Sequence, residues 1–266
     1  MDKRIKGYAA AVSVAVMGLS SSVLAQSAPD RELAYPIAVI SGMDFADRTS
    51  EGHSGVYYAL NGDLARSGAI FRIFGTMGSY DYDGVFGKID SDYWIGDAMI
   101  GYQIVQGRWD LGILVGVEHQ DHELTPDDLT NRLRGSETGF KVVADLETNA
   151  SNDTPLYFAL RGSYSTAFES YYGLGRIGFR TPSFVVGPEA WAFGDVEGNS
   201  QRLGGFLKFD LPMLGTTTTE VTLSAGYQWN DNSSGRYSGV DDGLYTTLKF
   251  ITSFGTTPSR QYEPLK

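Results

Sequence analysis

Residues 221–229 read Val221-Thr222-Leu223-Ser224-Ala225-Gly226-Tyr227-Gln228-Trp229. Odd positions are apolar or aromatic, and even positions are small or polar. A β-strand turns successive side chains to opposite faces, so this stretch has one greasy face and one polar face. A helix of period 3.6 would mix the two sets. The same rhythm returns where Leu244, Thr246, Leu248, Phe250, Thr252 and Phe254 oppose Tyr245, Thr247, Lys249, Ile251 and Ser253. It returns again where Trp109, Leu111, Ile113, Val115 and Val117 oppose Asp110, Gly112, Leu114, Gly116 and Glu118.

Working outward from these segments, the alternation predicts about twelve strands: 35–45, 54–65, 69–81, 92–104, 108–120, 136–147, 155–167, 170–180, 183–193, 200–211, 218–230 and 242–254. An even number of strands with apolar-out, polar-in alternation is the signature of an all-β, transmembrane antiparallel β-barrel. Connections alternate in length as well. Short turns fall at Arg66-Ser67-Gly68, Gln106-Gly107 and Thr181-Pro182, and longer polar loops are expected near 46–53, 82–91, 121–135 and 231–241. The connections at 148–154 and 212–217 are long for the turn side, and Thr166-Ala167-Phe168-Glu169 is short for the loop side. Tyr35, Tyr93, Trp94, Tyr102, Trp109, Tyr227 and Trp229 sit near strand ends, where interfacial aromatic girdles form. Pro188 interrupts a predicted strand, so a bulge around Gly187-Pro188-Glu189, or a strand that ends earlier, is expected. A soluble periplasmic β-sandwich binding protein is the alternative fold.

Lys3, Arg4 and Lys6 precede an apolar stretch from Tyr8 to Leu19, and Val23-Leu24-Ala25 suits cleavage before Gln26. This reads as a secretory signal peptide. The expected organisation is a signal peptide at 1–25, a short lead at 26–34, a barrel at 35–254 and a polar tail at 255–266. The 266 residues contain no cysteine, which excludes disulfides, thiol nucleophiles and cysteine-held metals. A net charge of −11 without a basic cluster sets nucleic acid aside as a partner. Membrane lipids are the partner that the greasy face requires.

If the wall is a barrel, its polar face lines a lumen. That face carries Asp63, Asp97, Glu118, Asp145, Glu189 and Asp210 against Arg72, Lys141, Arg161, Arg176, Arg202, Lys208 and Lys249. Two readings stand. The charges pair across the lumen and hold it rigid, or they satisfy sugar hydroxyls beside Tyr57, Phe74, Tyr157, Tyr172, Trp191 and Tyr245, whose rings offer stacking faces. Twelve strands lie between eight, where side chains fill the interior, and sixteen, where an aqueous channel is left.

Other motifs say less. Gly173-Leu174-Gly175-Arg176-Ile177-Gly178 matches a dinucleotide fingerprint but lies within a strand, without the strand–turn–helix context that the fingerprint needs. Glu118-His119-Gln120-Asp121-His122-Glu123 gathers two imidazoles and three carboxylates. A surface-exposed outer-membrane hydrolase using His119, His122 and Asp121 is therefore the enzymatic alternative. A third metal ligand at proper spacing and a G-x-S-x-G nucleophile motif are both missing, so no metal, cofactor or enzymatic activity is expected.

Several blocks together carry a family pattern. They are Ala59-Leu60-Asn61-Gly62-Asp63-Leu64, Gln120 to Asp128, Gly139-Phe140-Lys141-Val142 with Ala144-Asp145-Leu146-Glu147, Gly162 to Phe168, Gly187-Pro188-Glu189 and Gln201-Arg202-Leu203-Gly204-Gly205-Phe206. In combination they resemble the cellulose biosynthesis protein BcsS family over about residues 35–254. The resemblance implies a secreted outer-membrane component that accompanies the bacterial cellulose synthase machinery, and it brings no catalytic residues. It points to cellulose or another exopolysaccharide as partner, with the barrel as export conduit or accessory of secretion. Barrels of this kind usually finish on an aromatic such as Phe254, whereas this chain continues to Lys266.

Overall fold

The computed structural model describes residues 33–84, 87–148, 155–231 and 242–256. They form twelve strands: β1 (Ala34–Ala46), β2 (Thr49–Ala59), β3 (Gly68–Gly84), β4 (Gly87–Gln106), β5 (Trp109–Thr125), β6 (Gly135–Thr148), β7 (Leu156–Ser165), β8 (Tyr171–Arg180), β9 (Val185–Gly194), β10 (Asn199–Leu214), β11 (Thr217–Asp231) and β12 (Gly243–Thr256). Each strand pairs antiparallel with its sequence neighbours, and β1 pairs with β12 from Ile37 opposite Phe254 to Phe45 opposite Thr246. The sheet is a closed barrel, so no strand edge is left unpaired. The sandwich alternative is thereby excluded.

Alternation sorts the two faces. On β4, Trp94, Ile100, Tyr102 and Ile104 point outward and are exposed, while Asp97 and Met99 point inward and are buried. Leu203, Leu223, Ile113, Val115, Val142 and Ile177 extend the exposed apolar band around the wall. So wide a greasy surface belongs against lipid rather than water. Trp94 and Tyr102 lie eight residues apart, roughly 27 Å along a strand, which suits interfacial anchors at opposite edges of a tilted membrane-crossing segment.

Two expected loops are strand instead. The 46–53 segment is a hairpin whose turn is Asp47-Arg48, and β3 and β4 pair from Gly84 opposite Gly87 downward, through the expected 82–91 loop. The wall there rises above the greasy band and meets water on its outer face. That face carries Arg48 against Asp83 at 2.8 Å and Lys88 against Asp90 at 2.9 Å. Without lipid outside there is no apolar alternation to read. Correspondingly, β2 stops at Ala59 and not 65, which places Asp63 in the β2–β3 turn rather than on the lumen face.

The 212–217 connection is also tighter than expected. It is the two-residue turn Gly215-Thr216, with Gly215 at φ +65° and a register shift between Leu211 and Leu214 absorbing the rest. No bulge occurs at Pro188. β9 keeps continuous register with β10, and only the pairs toward β8 at Gly187 and Pro188 drop out. The proline's missing N–H costs the ladder on one side alone. A Cβ on Gly187 would lie 2.0 Å from the Ile177 carbonyl, so glycine is what lets β8 and β9 approach beside the proline. The 1–25 segment, the 148–154 connection beyond Thr148, most of the 231–241 loop and the tail past Thr256 lie outside the described residues.

Candidate functional site

The barrel encloses a cavity of about 530 Å³, within the size range of small-molecule sites. Its lining starts at the loop end with Thr49, Glu51, Tyr93, His122 and Asn199. It descends to Tyr57, Arg72, Lys141, Arg176, Arg202 and Lys249 at mid-barrel. Below that level the interior is packed. Ile70, Met99, Leu114 and Val143 form one apolar cluster, against which Tyr57 and Leu64 pack. Tyr157, Val185 and Phe206 form another. The β2–β3 turn folds against the first cluster: Gln103 donates to the Leu64 and Arg66 carbonyls at 2.6 and 2.8 Å, and Leu64 N–H donates to the Tyr35 carbonyl at 2.8 Å. The cavity is thus a cup in the loop-side half of the barrel, with apolar packing on its terminal side.

The floor of the cup is ionic. Arg72 donates to both oxygens of Asp97 at 3.1 and 2.5 Å, and Lys141 spans Asp97 at 3.0 Å and Glu118. Arg161 pairs with Asp145. Arg176 donates to Glu189 at 2.7 Å, and the same carboxylate accepts from Ser224 Oγ at 3.0 Å and Tyr245 Oη at 2.8 Å. Arg202 forks onto Asp44 at 2.7 and 2.8 Å and reaches Gln228 at 2.7 Å. Nearer the termini, Lys208 joins Glu147 at 2.5 Å and Glu220 at 2.8 Å. Rings cover these cations: Arg202 lies 4.7 Å from the Tyr245 centroid and 5.5 Å from that of Trp191, and Arg176 lies 5.0 Å from that of Phe206. Bidentate, fully hydrogen-bonded pairing is what makes buried charge tolerable.

The BcsS family profile matches residues 38–254, which spans the barrel from β1 to β12. The chain belongs to the cellulose biosynthesis protein BcsS family. Membership associates this barrel with cellulose biosynthesis. No curated protein matches the chain. Among solved structures it is similar to a KdgM porin in complex with disordered oligogalacturonate, at 8% identity and TM-score 0.39, covering 82% of this chain and 98% of that one. It is also similar to the β domain of the Bordetella autotransporter Brka, at 11% identity and TM-score 0.41, covering 83% and 99%. A third is the Acinetobacter baumannii outer membrane protein Omp33, at 10% identity and TM-score 0.35, covering 84% and 98%.

In this BcsS-family barrel the predicted lumen residues separate into three groups. Arg72, Glu118, Lys141, Arg161, Arg176, Arg202 and Lys249 line the cup, with Asp97, Asp145 and Glu189 as the pairing acids. Lys208 lies in the packed layer below. Asp63 and Asp210 leave the lumen altogether. Asp63 ties the β2–β3 turn, accepting from Tyr35 and Ala65 N–H at 3.2 and 3.0 Å, and Asp210 is exposed near the β10–β11 turn. Of the six rings, Tyr57, Phe74, Tyr172 and Trp191 line the cup, whereas Tyr157 and Tyr245 are 2% and 1% exposed. Those two are fixed by Glu147 and Glu189 through their hydroxyls.

The histidine constellation does not assemble. His119 points outward, against Trp94 and Thr138, while His122 points inward and stacks on Tyr93 at 5.4 Å. With odd spacing, a strand puts them on opposite sides of the wall, so no substrate or metal meets both. Asp121 shares the outer side with His119. Among the described residues no group of three or more potential ligands comes together as a metal site.

Asp44, Glu51, Glu147, Glu220, Gln120 and Gln228 also belong to the interior and were not singled out from sequence. Asp44 was findable: it is the single charge of the 35–45 strand, between outward Met43 and Phe45. Its partner Arg202 is 158 residues away, and no local pattern could supply that pairing.

Three loop-end connections knit together over one side of the mouth. Arg132 N–H donates to Glu197 at 2.6 Å and its guanidinium to the Val196 carbonyl at 3.2 Å, while Val196 N–H donates to the Phe168 carbonyl at 3.0 Å. Asp195 shapes the β9–β10 turn by accepting from Glu197 and Gly198 N–H at 2.8 and 3.2 Å. Burial, aided by the charge of Glu197, raises its pKa above the ordinary value of 3.8. The protonated form is thus favoured in the fold. Its contribution is fully present below pH 3.8 and is lost as pH rises through the raised value. Asp195→Asn keeps an acceptor without the charge, so its thermal midpoint is expected to equal wild type near pH 3 and exceed it at pH 7. Asp195→Ala, which forfeits both N–H bonds, is expected to lose about 1 kcal/mol near pH 3 and less at pH 7, where removing the buried charge offsets part of the loss.

Proposed function

We propose that this protein is a non-enzymatic outer-membrane barrel that presents a glycan-holding cup to the cell exterior, as an accessory of cellulose or exopolysaccharide secretion rather than its conduit. The single observation behind this reading is the cup itself, which is lined by rings and hydrogen-bonding charges and floored at mid-barrel. In this reading residues 1–25 direct export and are removed, the termini and short turns face the periplasm, and the loops face outward. The greasy belt meets outer-membrane lipid. A conduit needs a continuous path, and the packed layer beneath the cup supports a holding role instead. Tyr57, Phe74, Tyr172 and Trp191 provide flat apolar faces for sugar rings, and the cup's ions and amides answer the hydroxyls.

Titration of the detergent-solubilised protein with cello-oligosaccharides tests this. Trp94, Trp109 and Trp229 are exposed on the outer wall, so Trp191 is the tryptophan positioned to respond from within the cup. A saturable fluorescence change is expected, and Trp191→Ala is expected to weaken binding about tenfold, the size of one lost stacking contact. Unchanged calorimetric affinity in that variant would remove the cup from the sugar site. Steady ion flow through the wild type would restore the conduit.

A further inference from the structure

Among the described residues one cup cation stands apart. Arg72, Lys141, Arg161, Arg176 and Arg202 each make an ion pair. Lys249 lines the same cavity from the middle of β12 and makes neither a hydrogen bond nor an ion pair with any described residue. The charges acting on it most strongly are two more cations, Arg161 and Arg176; Glu220 and Glu147 act less. Register places Thr222 beside Lys249 and Ser224 beside Thr247. Arg176 reaches Ser224 Oγ at 3.1 Å, which brings its guanidinium to that same strip of wall.

A second, independent observation marks the same cavity. Thr247 Oγ1, two residues along β12 from Lys249, is a buried polar atom without a hydrogen-bond partner, and so is Trp191 Nε1 on β9, whose ring lies 6.4 Å from that of Tyr245. Both residues line the cup. A barrel that otherwise pairs its interior charges so thoroughly has left a cation, a hydroxyl and an indole N–H unanswered around one space. Unanswered groups of this kind disfavour the empty state, and their natural complement is an acceptor with negative charge.

We propose that Lys249, faced across the lumen by Arg176 and Arg161 and with Thr247 beside it, forms a subsite for one anionic group, a carboxylate or phosphate, carried by the glycan that the cup holds. This rests on the cup being a glycan site and specifies its chemistry: an acidic sugar or an acidic substituent, rather than plain glucan, is the preferred occupant. The anion would answer the lysine that the barrel leaves unpaired. Neutral glucan would leave the lysine unanswered.

Calorimetric titration of the full-length protein in detergent provides the test, with four probes: a neutral cello-oligosaccharide, an oligosaccharide of the same length ending in glucuronic acid, glucuronate alone and inorganic phosphate. The wild type is expected to bind the acidic oligosaccharide at least tenfold more tightly than the neutral one. Lys249→Met is expected to abolish that preference, so that the two oligosaccharides bind the variant alike. Glucuronate that binds where phosphate does not would assign the subsite to sugar carboxylates, and the reverse would assign it to phosphate-bearing groups. Equal affinities for the two oligosaccharides in the wild type, or a preference that survives Lys249→Met, would overturn the subsite. If neither oligosaccharide binds, the glycan-holding reading fails; Lys249-dependent binding of glucuronate or phosphate would then still uphold the subsite, and its absence would overturn it. Stability adds a readout independent of ligand. An unpaired cation opposes folding, so Lys249→Met is expected to raise the unliganded thermal midpoint, whereas a lowered midpoint would make Lys249 a structural partner and defeat the proposal.

Discussion

Glu189→Ala is expected to destabilise the barrel by about 3–5 kcal/mol, the loss typical of breaking a buried ion pair from one side. The carboxylate is 1% exposed and gathers three donors, Arg176, Ser224 and Tyr245, from three different strands. Removing it leaves the Arg176 guanidinium in a space with only Ser224 and the rings of Phe206 and Trp191 for company. Cation–π attraction contributes about 0.5–2 kcal/mol, too little to replace a carboxylate. Glu189→Gln keeps an acceptor of the same shape, so about half of the loss is expected there, in line with about 1.5–3 kcal/mol for a hydrogen bond to a charged group. Asp210→Ala, at the exposed end of β10, is expected to change stability by less than about 0.5 kcal/mol. Urea unfolding from lipid vesicles, followed by the mobility shift between folded and unfolded barrel, measures all three. A Glu189→Ala loss below about 1 kcal/mol would mean that the network is not holding the interior together.

The contrast between Glu189 and Asp210 shows what the sequence makes legible. Both were read as inward from period-two alternation, and alternation does fix which face a strand residue takes. It does not fix depth. Asp210 has the inward parity of Arg202 and Lys208 but lies at the end of the barrel, where water replaces the lumen. Asp63 fails differently: the end of β2 was read six residues too far toward the termini, because the polar outer wall at Thr49–Gly52 resembles a loop. The twelve strands, their order and their greasy belt were readable because lipid outside and charge inside act on every residue of a crossing segment. Pairing across the barrel was not, since Asp44–Arg202 and Lys208–Glu147 join strands far apart in the chain. Nor was the opposite orientation of His119 and His122 drawn out, although their odd spacing on one strand already implied it.

The packed layer beneath the cup leads to the other large effect. In a planar bilayer the wild type is expected to give no steady current, because Ile70, Met99, Leu114 and Val143 with Leu64 fill one side of the lower interior and Tyr157, Val185 and Phe206 fill the other. The Lys208–Glu147–Tyr157 hydrogen bonds brace the second cluster. An apolar constriction excludes hydrated ions by staying dry, and the cations of the ionic layer above it, Lys249 apart, are already held in ion pairs. Twelve strands nevertheless enclose more room than the eight whose interior side chains just fill. Removing bulk should therefore open a path rather than collapse the wall. Combining Met99→Ala and Leu114→Ala with Tyr157→Ala and Phe206→Ala is expected to produce discrete current steps at voltages where the wild type is silent. Each such truncation typically costs about 2–5 kcal/mol, so heat-modifiable mobility has to show that the variant is folded before its currents are read. Should that combination prove too unstable, exchanging the β2–β3 turn residues 61–66 for a short glycine linker withdraws Leu64 and the contacts of Gln103 while leaving the wall intact, and flickering current is expected from it. Steady wild-type conductance, or folded variants of both kinds that remain silent, would place the barrier elsewhere than in this layer.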